Sequence, residues 1–164
     1  MGARDRIEGK ERRSTTIFRV PLADPTQAEE ALEDARTFLT AETARDAQAG
    51  AGAPSQATLE AQEVYDGALA RVEECFEPVE LVALEPAEFE ELLAEYAGED
   101  GELDVETFRP ALVAACVIDP ELKDPAWWAE QFESKKWALG EREAMYVACW
   151  RLNFSPPRGR LGKD

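Results

Sequence analysis

At 164 residues, 45% hydrophobic and 32% charged, the chain suits one globular domain with an appendage and not a disordered polymer. Its 35 acidic against 18 basic residues give a formal charge of −17, which excludes general affinity for nucleic acid because phosphates would be repelled. The absence of histidine, with only three cysteines, excludes Ser-His-Asp and Cys-His catalysis, histidine zinc sites and four-cysteine zinc sites.

Residues 1–13 mix both signs of charge and lack an apolar stretch, so no signal peptide is expected, and Arg6 stands where a myristoylation signal needs Ser or Thr. No run of about 18 apolar residues occurs, so no transmembrane helix is expected and the location is read as cytoplasmic. Residues 1–15 are read as a basic disordered N-terminus. From Ser14 to Leu22 the residues are β-branched and alternate up to Pro21, which reads as an extended segment or edge strand. Asp24-Pro25-Thr26 then starts a helix, with Ala28, Ala31, Leu32, Ala35, Phe38 and Leu39 on one face as far as about Gln48.

The Gly- and Ala-rich breaker at 49–55 leads to a second helix carrying Leu59, Tyr65, Ala68, Leu69, Val72, Cys75 and Phe76 on one side. Two helices of this length with a short loop predict an antiparallel αα-hairpin, read as a solubilising arm or a partner-binding arm. Glu77 to Leu84 alternates weakly and predicts a short strand beside residues 16–20. Further helices are expected from Pro86 to Gly98, from near Val105 with Pro110 in its first turn, around 125–132, and along the apolar run from Trp137 to Asn153. Pro156-Pro157 closes the structure and leaves 155–164 as a disordered tail. The expected fold is therefore all-α or nearly so. An extended arm and hairpin (16–77) precede a compact bundle of about four short helices (78–154).

All four tryptophans fall within residues 127–150. The last helix is apolar nearly all round, so it must bury itself against its own domain or another chain. Trp127, Trp128, Trp137, Tyr146 and Trp150 are the candidate partner-binding residues, with core packing as the alternative reading, because tryptophan is enriched both in cores and at interface hot spots. The segment from Phe89 to Phe108 has an EF-hand rhythm. Aligning Gly101 with the sixth loop position, however, leaves only Asp100 and Asp104 where calcium ligands belong. Glu88, Glu90, Glu91 and Glu95 read as a solvated helix face and not as paired catalytic carboxylates. Cys75, Cys116 and Cys149 are far apart in sequence and read as buried free thiols. No catalytic residue, metal ligand or cofactor is expected, and the chain is read as a non-enzyme.

One resemblance covers about residues 78–153. Pro86, Phe89, Leu92 and Leu93 form a Pro-x-x-Phe-x-x-Leu-Leu helix, followed by Thr107 to Val117 (Thr-Phe-x-Pro-Ala-Leu-Val-Ala-Ala-Cys-Val). Asp-Pro-Glu-Leu, Trp127-Trp128 and the Ala144, Ala148, Asn153 spacing come next. This order resembles the tail assembly chaperones of long-tailed, siphovirus-type phages of actinobacteria. The resemblance implies a small acidic helical protein that holds the tape-measure protein, or another tail protein, during tail tube assembly and leaves before the virion is complete. It transfers no individual functional residue, and the hairpin at 26–76 has no counterpart in it. The alternatives are an acidic inhibitor or nucleic-acid mimic that binds a basic host protein, or a structural head–tail virion component. Self-association is left open, and neither nucleic acid nor membrane is an expected partner.

Overall fold

The structure, a computed structural model, describes residues 2–10 and 13–154. It is mostly helical with one two-stranded antiparallel sheet. The elements run α1 (Ala3–Glu8), β1 (Thr15–Pro21), α2 (Thr26–Gln48), α3 (Gln56–Glu74), β2 (Phe76–Val82), α4 (Pro86–Glu95), α5 (Val105–Cys116), a 3-10 turn (Pro120–Leu122), α6 (Pro125–Glu133) and α7 (Leu139–Phe154). No helix among the described residues is long and apolar enough to cross a membrane. The chain divides into two compact units, residues 19–78 and residues up to 18 together with those from 79 onward. Helix α1 lies in the segment read as disordered and buries no residue. The tail at 155–164 is outside the described residues.

In the 19–78 unit, α2 and α3 form the expected hairpin. Ala28, Leu32, Ala35, Leu39 and Glu42 face inward along α2, and Thr58, Ala61, Tyr65, Ala68 and Val72 along α3. Both stripes alternate steps of three and four, the spacing that keeps a seam facing its partner helix. Alanine supplies much of this interface, including the fully covered Ala61. The seam is narrower than the broad face read from the sequence. Ala31, Phe38 and Leu59 were placed on the packed side, yet all three are exposed.

The hairpin is fastened at both ends. Asp46 Oδ2 accepts hydrogen bonds from Ser55 N at 2.8 Å and from the Thr58 hydroxyl at 2.7 Å, which joins the end of α2 to the cap of α3. At the base, Leu22 N donates to Cys75 O at 2.8 Å, and the Arg19 guanidinium lies over the Phe76 ring at 4.4 Å.

In the second unit, Ala83 N donates to Ser14 O at 2.8 Å, which continues the pairing of β1 with β2. Leu81 forms a bridge with Val117, and Ile118 N donates to Glu80 O at 3.0 Å, so the chain leaving α5 adds a short rung to β2. The core contains Val79, Leu81, Phe108, Leu112, Val113, Trp128, Met145 and Cys149, all buried.

Local sequence places these helices. Glu88 Oε2 accepts from Glu85 N at the start of α4, and Asp124 Oδ1 accepts from Ala126 N and Trp127 N at the start of α6. Pro86 and Pro125 follow directly at first-turn positions, where their missing N–H costs nothing. Pro110 departs from the expectation. It is the sixth residue of α5, past the first turn, so the Glu106 carbonyl has no N–H to accept from at that position. Helix α7 departs too. Only Met145 and Cys149 are buried along it, while Leu139 and Phe154 are exposed, so it buries one stripe and not its whole circumference.

Candidate interaction surface

The five aromatic residues singled out from sequence fall into two groups, both in the unit built from residue 79 onward. The first is held by α6. Trp128 is 2% exposed, its indole Nε1 donates to Leu122 O at 2.6 Å, and it packs against Phe132 with centroids 5.5 Å apart. That carbonyl comes from the 3-10 turn, which itself is set by Asp119 Oδ1 accepting from Glu121 N. Trp128 is therefore a core residue here and offers no surface to a partner. Its neighbour Trp127 meets it edge-on at 4.8 Å and remains 38% exposed. Trp137 closes the group, half-buried, 5.2 Å from Phe132 and 6.2 Å from Trp128.

The second group is centred on Phe108 of α5, which is fully buried. Tyr96, Tyr146 and Trp150 surround it edge-on, with centroids 6.0, 6.3 and 6.1 Å away. Tyr146, Trp150 and Phe154 stand at four-residue steps on one stripe of α7. Trp150 and Phe154 stack at 4.6 Å with planes 23° apart. Phe89 of α4 meets both edge-on, at 5.9 and 5.1 Å. Edge-to-face and offset contacts hold aromatic rings in fixed orientation, each adding about 0.5–1.5 kcal/mol beyond the area they bury. The stack ends on Phe154, which is 55% exposed. Phe154, Phe89 and Phe108 are not among the candidates read from the sequence. The four-residue spacing was the available signal for Phe154, whereas Phe89 and Phe108 reach the stack only through packing between helices.

Charge is organised around the second group. Arg109 is 6% exposed, pairs with Glu143 of α7 and with Glu106 at 3.5 Å, and has its guanidinium 5.5 Å from the Tyr146 ring centroid. Burial pushes the Tyr146 phenol above its ordinary range; the nearby Arg109 cation opposes this and the Glu143 carboxylate adds to it. The ring therefore stays neutral across the physiological range. A cleft of about 390 Å³ opens beside this ion pair, lined by Tyr96, Arg109, Pro110, Phe132 and Arg142 among others. A second, of about 360 Å³, is lined by Arg13, Leu84, Glu88, Glu91, Leu92 and Lys123 among others. Each is lined by apolar residues together with charges of both signs.

The acidic turn after α4 is self-contained. Asp100 Oδ1 accepts from Glu102 N at 3.0 Å, Gly98 N donates to Glu102 O at 2.7 Å, and Ala97 bridges Leu103. A side chain at Gly98 would meet the Asp100 carboxylate oxygen at 2.8 Å and push it from Glu102 N, and Gly101 has φ +78°, where any other residue is strained. Among the described residues no three Cys, Asp or Glu side chains converge where they could hold a metal ion.

Asn153 links two cysteines that lie far apart in sequence. Cys116 of α5 and Cys149 of α7 are both fully buried. Asn153 Nδ2 donates to Cys116 Sγ at 3.4 Å and to Cys149 O at 2.8 Å, while its Oδ1 accepts from Leu84 N at 2.8 Å. Asn153 thereby joins the end of α7 to α5 and to the residues following β2.

Comparison with protein-family models, curated proteins and solved structures gives no match.

Proposed function

We propose that this chain is a phage tail assembly chaperone, a non-enzymatic acidic helical protein that binds the tape-measure protein in the host cytoplasm and keeps it soluble while the tail tube forms. The observation that carries the reading is the Tyr146–Trp150–Phe154 stack, a rigid aromatic ridge that ends exposed on a chain of net charge −17. A long helical client with apolar stripes aggregates when those stripes are bare. An aromatic ridge covers such a stripe with little loss of side-chain freedom, because its rings are already fixed by Phe89 and Phe108. The surrounding carboxylates then keep the complex dispersed through net charge. The order of motifs between Pro86 and Asn153 supports the same reading.

The test is co-expression with the protein encoded immediately downstream, followed by pull-down at low and high salt. The chaperone reading expects a long helical protein to become soluble and to stay bound at high salt, since apolar contacts are not screened. An acidic inhibitor or nucleic-acid mimic would instead release its basic partner as salt rises, because exposed charges are screened beyond about 8 Å at physiological ionic strength. Recovery of the chain in purified particles would point to a virion component.

A further inference from the structure

We propose that the cleft of about 390 Å³ lined by α5, α6 and the start of α7 binds a small organic monocarboxylate, with Arg142 gripping the carboxylate. The proposal is independent of the chaperone reading. Its first support is where this acidic chain shelters positive charge. Arg109 and Arg142 both line the cleft, and every other Lys and Arg among the described residues is exposed.

The second support is unfinished hydrogen bonding. Among the described residues, three buried side-chain polar atoms have no hydrogen-bond partner: Arg109 Nε, Arg142 Nε and Ser134 Oγ. Two belong to residues of the lining, and Ser134 directly follows Glu133, which also lines the cleft. Buried polar groups are nearly always matched, so three mismatches in one place mark a point where acceptors are short.

The two arginines are not equivalent. Arg109 is already neutralised, by Glu143 and by Glu106 at 3.5 Å. Arg142 forms no ion pair among the described residues, and its one hydrogen bond there runs from Nη1 to Phe132 O at 3.5 Å, longer than a good N–H···O bond. A guanidinium holds its N–H donors in a planar fork that matches a carboxylate. Arg142 is only half-buried, so its terminal nitrogens make the grip, Nε itself being enclosed.

The rest of the lining selects the ligand. Pro110, Pro125, Ala126 and Ala129, with Tyr96 and Phe132, call for an apolar or aromatic body. Glu106 and Glu133 lie in the same lining and repel a second negative charge, which favours a monocarboxylate over phosphate or a dicarboxylate.

Proton–nitrogen NMR of the arginine Nε–H groups, on the isotopically labelled full-length chain titrated with phenylacetate, tests the site. The Arg142 signal, assigned by its absence in Arg142→Lys, should move and saturate with a Kd on the order of 1 mM, while the exposed arginines stay in place. Phenylacetamide has the same body without the charge, and inorganic phosphate has charge without the body. Each should bind about tenfold more weakly or worse, and so should phenylacetate to Arg142→Gln. Ala129→Leu keeps both arginines but fills the cleft, so its Arg142 signal should persist and no longer respond. The proposal is overturned if the Arg142 signal does not move or the exposed arginines move with it. Equal binding of the amide or of phosphate, or a parent-like response in Ala129→Leu, overturns it too.

Discussion

The two units solve the packing problem with opposite materials. The 19–78 hairpin closes on alanines, with Ala35, Ala61 and Ala68 along its seam, and spends its polar chemistry on fastening its ends through Asp46 and Leu22. The unit from residue 79 onward closes on aromatic rings, with Phe108 and Trp128 at its centres. Small residues let helices approach closely but present little surface that could grip a partner. Large rings bury more area each and, where the packing runs out at Trp127 and Phe154, leave rigid apolar edges in water. The same need for a core thus produces a narrow alanine seam in one case, with Phe38 and Leu59 left outside it, and a cluster of rings with exposed edges in the other.

The comparison breaks most severely at Phe108. Replacing it with alanine removes the ring that Tyr96, Tyr146 and Trp150 all pack on, and should cost about 3–5 kcal/mol in urea unfolding. The hairpin should fail in the opposite direction, by overfilling. Ala61→Leu forces three extra heavy atoms into a seam where Ala61 is 1% exposed, and should cost about 1–3 kcal/mol.

Acid sharpens the contrast further. The Ser55 N–H first, then the hydroxyls of Thr58 and Ser55, hold the Asp46 carboxyl below the usual aspartate range. A group whose folded pKa is depressed stabilises the fold above its unfolded value, near pH 4, and that contribution fades as pH falls through the folded value. Asp46→Asn should therefore be less stable than the parent at neutral pH, with the difference closing on acidification. Thermal melts between about pH 6 and about pH 2 would follow this. The smallest expected effect on stability is at the exposed rings. Trp127→Ala and Phe154→Ala should each cost about 1–2 kcal/mol, less than Phe108→Ala, while weakening partner binding, which separates edge from core within each aromatic group.

Much of this architecture was legible because local chemistry marks it. Pro25, Pro86 and Pro125 announce helix starts, the Gly- and Ala-rich stretch at 49–55 announces the hairpin loop, and alternation at 14–22 and, weakly, at 77–84 announces the paired strands. What was hidden depends on partners distant in sequence. Trp127 and Trp128 look alike in the chain, and the carbonyl of Leu122 and the ring of Phe132 distinguish the buried one. Phe38 and Leu59 look like seam residues under a broad helical stripe, yet a seam of alternating three- and four-residue steps leaves them outside. Asn153 reaches both Cys116 Sγ and Cys149 O only because α5 packs on α7, and no spacing rule anticipates that link. The helix start near Val105 was legible, but counted from it Pro110 is the sixth residue and lies beyond the first turn.

The most direct test of the account compares two surface variants in the same co-expression pull-down. One removes the exposed rings of the aromatic unit, Trp127→Ala with Phe154→Ala; the other removes those of the hairpin, Phe38→Ala with Leu59→Ala. With both variants folded, the account predicts that the first loses the helical partner at high salt and the second keeps it. Retention by the first together with loss by the second would contradict it and move the binding surface to the hairpin.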